Sequence, residues 1–186
     1  MIHRRTNGPF CPNFKIKDIW APESKESMNI AYLLIGGNEG DRSAYLQETI
    51  RRIRYPGSKL LRQSSVYETA AWGKTGQPSF LNQALILETP MDAPALMEAL
   101  LATEEELGRV RTERYGSRTV DIDILFFNEE VIRLSWLTIP HPEVARRRFA
   151  LTPLDEIAPG YVHPVLQKTI HVLLAECEDQ LEVKKL

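Results

Sequence analysis

Hydrophobic positions crowd together in MNIAYLLIGG, which predicts a strand from about Asn29 that ends in a turn at Gly36, Gly37 and Asn38. Asp41 then stands where an N-cap belongs. Leu46, Ile50 and Ile53 follow at helical spacing, with Arg51, Arg52 and Arg54 near the negative end of the helix dipole. Residues 59–69 and 80–89 are rich in β-branched, aromatic and aliphatic side chains and predict two further strands, separated by a loop holding Gly73, Gly76 and Pro78. Asp92 can cap a second helix, with Pro94 in its first turn and Gly108 after its end. Residues 119–127 alternate into another strand, apolar but for two aspartates. The order strand, helix, strand, strand, helix, strand is the ferredoxin-like βαββαβ pattern, an α+β fold in which one antiparallel sheet carries helices on one face. Beyond it the pattern predicts C-terminal additions: a short strand at 131–134, the loop TIPHPEVARRRF, and a final helix at 165–177.

Composition limits the function classes. The 186 residues are 43% hydrophobic with a formal net charge of −2, which describes one ordinary domain able to bury roughly 70% of its unfolded surface without staples. No apolar run reaches the ~18 residues of a membrane span and no continuous apolar segment opens the chain, so a cytoplasmic protein without membrane contact is expected. Two cysteines, Cys11 and Cys177, are too few for a disulfide framework or a zinc cluster. A pI near 6.1 speaks against a nucleic-acid surface. Residues 1–27, with Pro9, Pro12 and Pro22 and no sustained period, are expected to be an N-terminal extension, tail or docked segment, leaving 28–186 as the folded domain.

The distribution of charge adds more than the total. Of fifteen arginines, eight lie between Arg109 and Arg148, and no lysine occurs between Lys74 and Lys168. Guanidinium offers a planar fork matched to phosphate or carboxylate, though a solvated basic face would have the same composition. Within this segment Asp121 and Asp123 alternate with Ile122 and Ile124, so both carboxylates share one strand face about 7 Å apart. Two anions on one spot suit Mg²⁺ and phosphate, or else a pair of salt bridges to Arg118 and Arg114. Arg109, Arg111, Arg114 and Arg118 lead directly to that strand and could counter phosphate charge or cap the preceding helix. Glu104 falls within the apolar stripe of the second helix, unlike Glu105 and Glu106, and must bond either a ligand or a nearby arginine. His141, fixed between Pro140 and Pro142, could meet a phosphate or simply occupy a surface loop. Gly73-Lys74-Thr75 imitates the end of a P-loop, but Glu68 stands where its first glycine is required, and the protein-kinase motifs are absent.

Taken together, GRVRTERYGSRTVDIDILFF resembles the signature of the 6-hydroxymethyl-7,8-dihydropterin pyrophosphokinase family. AYLLIGGNEGDR, SSVYETAAWG, PSFLNQAL and LTIPHPEVARRRFALTPLDEIAP extend the likeness over roughly residues 29–165, in order and with the family's spacing. The resemblance implies transfer of a pyrophosphoryl group from ATP to the pterin hydroxymethyl with release of AMP, a step of folate biosynthesis. It implies that Asp121 and Asp123 bind two Mg²⁺ ions and that Arg109 and Arg118 act on the transferring phosphates. Phe80 and Phe149 would sandwich the pterin, and Asn82 would hydrogen-bond it with help from the backbone around Thr69, Ala71 and Trp72. Glu104, Arg111, Tyr115, Thr138, His141 and Arg147 fall at nucleotide-side positions. The expected partners are these small molecules alone, with no nucleic acid, for a chain acting as a monomer. Departures are Gly37 where serine is common, Tyr115 where tryptophan is frequent, Trp72 and Pro142 in variable loops, and residues 1–27, which have no counterpart. Two alternatives share the strand order: an RNA-recognition domain, whose basic-aromatic pattern is missing from SFLNQALIL, and a metal-free ligand-sensing domain.

Overall fold

The computed structural model describes residues 28–70, 78–109 and 116–186. A central strand β1 (Asn29–Gly37) pairs antiparallel with β4 (Phe80–Thr89) on one side and β5 (Asp121–Phe127) on the other. Outside β4 lie β2 (Lys59–Gln63) and β3 (Tyr67–Thr69), and β8 (Val183–Lys185) extends the sheet beyond β3. This is the ferredoxin-like order.

Alternation along the strands divides the core in two. Leu33, Ile35, Leu85, Leu87, Ile122 and Ile124 face α1 (Arg42–Arg52) and α2 (Ala93–Glu106), where Leu46, Leu96 and Leu100 complete one cluster. Both helices begin as the sequence predicts: Asp41 Oδ1 accepts from Ala44 N at 3.0 Å and Asp92 Oδ1 from Ala95 N at 2.8 Å. Gly108, at φ 80°, takes the left-handed conformation that ends the α2 segment.

The opposite face differs from expectation, because helices cover it as well. Leu34, Ala84 and Ile86 pack against Leu151 and Leu154 of α3 (Arg148–Ile157) and Ile170 and Leu173 of α4 (Ile170–Ala175). The sequence disguises α3 as loop because Pro153 lies inside it, where its missing N–H leaves the Phe149 carbonyl without the usual intrahelical donor. The final helix starts later than predicted. His163 Nδ1 accepts from Val165 N and Leu166 N, both at 3.2 Å, holding that stretch in a turn until Thr169 caps α4.

The expected strand at 59–69 is two strands. Between them the Ser64 side chain enters the ladder, its Oγ accepting from Ala84 N at 3.0 Å while Ser64 N donates to Ala84 O at 2.9 Å. In β5, Ile124 pairs with Leu33 and Phe126 with Tyr32, so Leu125 is an extra residue in a β-bulge. Leu125 and Phe126 consequently pack on the same side of the sheet. A hairpin of β6 (Ile132–Arg133) and β7 (Thr138–Ile139) follows. No helix among the described residues is long and apolar enough to cross a membrane.

Candidate active site

On the α3 side, the strand ends that the helices leave uncovered form a cleft of about 280 Å³. Its floor is supplied by the strand alternation: Leu34 and Gly36 from β1, Thr69 from β3, Phe80 and Asn82 from β4, Asp121 and Asp123 from β5. Arg109 follows α2 and Arg118 precedes β5. His141 comes after β7, and Arg147 and Phe149 come from the start of α3. Ten of the side chains singled out in the sequence therefore meet in one place. Ala71, Trp72, Arg111 and Tyr115 lie outside the described residues, as does the expected extension at 1–27.

The aromatic half is held by polar clasps. Asn82 is buried and donates from Nδ2 to Thr69 Oγ1 at 3.0 Å. Its Oδ1 lies 2.5 Å from where a Cβ on Gly36 would stand, so only glycine leaves that amide its place. Beneath the cleft, Arg42 Nη1 donates to Glu68 Oε1 at 2.9 Å and to Ser79 O at 2.8 Å, tying the residue before Thr69 to the residue before Phe80. Across the cleft, Glu156 lies seven residues after Phe149, hence on the same side of α3. Its carboxylate accepts from Tyr67 Oη at 2.8 Å, Ser65 N at 3.0 Å and Lys185 Nζ at 3.1 Å, which fixes α3 over β3. Burial alone would raise the Glu156 pKa, but these bonds outweigh it and hold the carboxyl at about 2.

The charged half is a network of arginines and carboxylates. Arg109 donates to both Glu104 and Asp121, and Arg118 Nη1 reaches Asp121 Oδ2 at 2.8 Å. Asp121 thus realises one of the salt bridges considered from sequence; Arg114, the other candidate, is outside the described residues. Asp123 is held differently. Burial first, and then the Asp121 charge, push its pKa up to about 7, against the opposing pull of Arg147 and Arg118. Arg118 lies 5.4 Å over the Phe80 ring and Arg147 lies 5.8 Å over Phe149, so the arginine and aromatic halves adjoin. Arg118 Nε is buried with no hydrogen-bond partner, a donor left for a ligand.

Burial and the nearby Arg147 lower the His141 pKa to about 4, so the ring is neutral at pH 7. Its Nδ1 accepts from Glu143 N at 3.2 Å, which assigns the proton to Nε2.

Two expected residues stand apart from the cleft wall. Glu104 is buried behind it, accepting from Arg109 and, at 2.7 Å, from Ile122 N, which selects the arginine-bonded alternative. Thr138 is exposed on β7 and lines a neighbouring cavity that shares His141 with the cleft. Sequence reasoning missed Leu34 and Gly36, and included Ala70 only within the backbone stretch 69–72. The first two share the face of β1 that the register places beside Asp121 and Asp123, a signal available only once strand pairing is known. Among the described residues no group of three or more His, Cys, Asp or Glu side chains could enclose a metal by itself.

Comparison with known proteins gives one family. The model described as 7,8-dihydro-6-hydroxymethylpterin-pyrophosphokinase (HPPK) matches residues 32–159. The 2-amino-4-hydroxy-6-hydroxymethyldihydropteridine pyrophosphokinase of Bacillus subtilis is 42% identical over 130 residues, covering 69% of this chain and 78% of the relative. The enzyme of the same name from Aquifex aeolicus is 37% identical over 143 residues, covering 77% of this chain and 89% of the relative. Among solved structures, Plasmodium falciparum HPPK-DHPS with pteroate shares the fold at a TM-score of 0.65 and 17% identity. That match covers 81% of this chain but only 44% of the longer one.

Proposed function

The chain belongs to the 7,8-dihydro-6-hydroxymethylpterin-pyrophosphokinase family, and from that membership we propose how its residues divide the work of the reaction. The enzyme transfers pyrophosphate from ATP to 6-hydroxymethyl-7,8-dihydropterin, giving the pterin diphosphate and AMP. The observation that carries the assignment of residues is the junction, in one cleft, of an aromatic-amide half and an arginine-carboxylate half.

In this reading Phe80 and Phe149 stack on the pterin ring while the Asn82 amide and the backbone at Thr69 pair with its polar edge. Ala71 and Trp72 join them as the family likeness implies. Arg109, Arg118 and Arg147 take the phosphates, with His141 donating from Nε2, and Glu104 acts through Arg109 rather than on the nucleotide. Arg111, Tyr115 and Thr138 complete the nucleotide side. The hydroxymethyl oxygen attacks the β-phosphorus in line with the departing AMP. Fixed positive charge around the phosphoryl oxygens then provides most of the catalysis. No protein nucleophile is needed. His141 is no base in this arrangement, since its Nδ1 is already an acceptor and its Nε2 bears the proton, so the hydroxyl proton passes to solvent.

Asp121 and Asp123 fit a hard divalent cation. They share one face of a rigid strand, and the Asp123 carboxylate, whose charged form is disfavoured by burial and by Asp121, would be stabilised by such an ion. We assign them to two Mg²⁺ ions, which when bound would offset the phosphate charge; Asp121 would then exchange part of its arginine pairing for metal. We also take residues 28–186 as the catalytic domain, acting as a cytoplasmic monomer. The test is to incubate the pure protein with ATP, Mg²⁺ and the hydroxymethyl dihydropterin. AMP is expected in step with pterin diphosphate. An Asp123→Asn variant that keeps normal turnover at saturating Mg²⁺ would overturn the metal assignment.

A further inference from the structure

Asn38 is a buried polar side chain outside the cleft, 2% exposed, and its bonds converge on Arg118. The ladder between β1 and β5 ends at the pair Gly36 and Asp121. Beyond it the two chains stay together: a Cβ on Gly37 would lie 2.2 Å from Thr119 O, and Asn38 N donates to Arg118 O at 3.0 Å. A regular ladder would return the exchange through a backbone carbonyl, but here the chain is already turning toward the Asp41 cap. The Asn38 side chain makes that return instead, its Oδ1 accepting from Arg118 N at 2.9 Å. Glu39 N adds a second donor to Arg118 O at 3.2 Å. Both backbone groups of Arg118 are therefore fixed by the turn after β1. The other end of the same amide donates to Pro78 O at 3.3 Å and Ser117 Oγ at 3.4 Å, linking the clamp to the approach to Phe80.

We propose that Asn38 is a positioning residue for pyrophosphoryl transfer: it holds the Arg118 backbone so that the guanidinium meets the transferring phosphates above Phe80. This rests on the reading of Arg118 as a phosphate-binding side chain. Arg118 reaches the cleft from an irregular segment, without a helix or ladder to place it, so loss of the amide leaves its backbone N–H unpaired and its position loose. A displacement of about 1 Å at such a group can cost a factor on the order of 100 in rate.

The test is a double-mutant cycle on kcat with N38A, R118K and the double variant. N38A is expected to lower kcat roughly 10- to 100-fold while KM for ATP and for the pterin each move less than about threefold. The double variant should be little slower than R118K alone, because Asn38 acts through a group already impaired. Additive losses, or N38A with normal kcat, would overturn the proposal. R118K with normal turnover would instead remove the reading of Arg118 on which it rests. Where N38A does not fold, N38S supplies the same cycle, its shorter hydroxyl keeping the pocket polar without spanning the gap to Arg118 N.

Discussion

Replacing Asp123 with Asn is expected to remove much of the protein's loss of stability between pH 5 and pH 8. Without metal, burial and the neighbouring Asp121 raise the Asp123 pKa from 3.8 to about 7. Between those values the native state holds a proton that the unfolded chain has released. The unfolded state thus binds fewer protons, and stability falls as pH rises through the window. Carried through the linkage relation, the two values give a penalty that grows by roughly 3 kcal/mol between pH 5 and pH 8. The residue keeps an edge on the cleft, where water relieves part of that penalty, so about 1–2 kcal/mol is expected. The amide introduces its own cost of burial, but that cost does not vary with pH and cancels in the comparison. Urea unfolding of both proteins at the two pH values, in EDTA, measures the difference directly. Profiles parallel to within about 0.5 kcal/mol would refute the reasoning. Added Mg²⁺ should restore the wild-type protein at pH 8 and do little for the variant.

Phe149→Ala should weaken pterin binding by about 2 kcal/mol, roughly 30-fold, and ATP binding by less than twofold, as titration calorimetry can check; equal losses would indicate collapse of α3 instead. Glu156→Gln should raise KM for the pterin several-fold by loosening α3 from β3. It should also abolish a wild-type loss of stability that begins as pH falls into the ordinary glutamate range and completes as it falls through about 2. A pH-unfolding curve unchanged in the variant would contradict this. A chain beginning at Met28 should keep full turnover, since every described residue lining the cleft follows it; a folded but inactive product would place the first 27 residues in the machinery.

Local rules carried much of this structure in the sequence. Asp41 and Asp92 announced both helix starts, and the spacing of Asp121 and Asp123 placed two carboxylates on one face before any pairing was known. What escaped depends on contacts distant in the chain. Pro153 concealed a helix that packing against Leu34, Ala84 and Ile86 sustains. Ser64 divided a strand by bonding Ala84 twenty positions later, and β8 exists through its pairing with β3. Helical phase showed that Glu104 pointed inward, but only tertiary structure showed that Arg109 and Ile122 N, rather than a ligand, receive it. Asn38 looked like an ordinary turn residue because its partner lies eighty positions away. The competing readings, an RNA-recognition domain and a ligand sensor, shared strand order with this fold and were separated from it by family membership.

The extra residue at Leu125 works as a phase boundary. Upstream, odd-numbered residues of β5 address the cleft; downstream, the rule inverts, and Phe126 takes the side that Asp121 and Asp123 occupy. A strict two-residue rhythm would couple the whole strand, so that gaining or losing one residue anywhere along it would rotate the carboxylates into the hydrocarbon beneath α1 and α2. Because the strand already tolerates one surplus position there, length changes at or beyond Leu125 have somewhere to be absorbed, while those between Arg118 and Ile124 do not. A length change in the turn after β5 thus leaves the two carboxylates on the cleft face, whereas one before Leu125 turns them away from it.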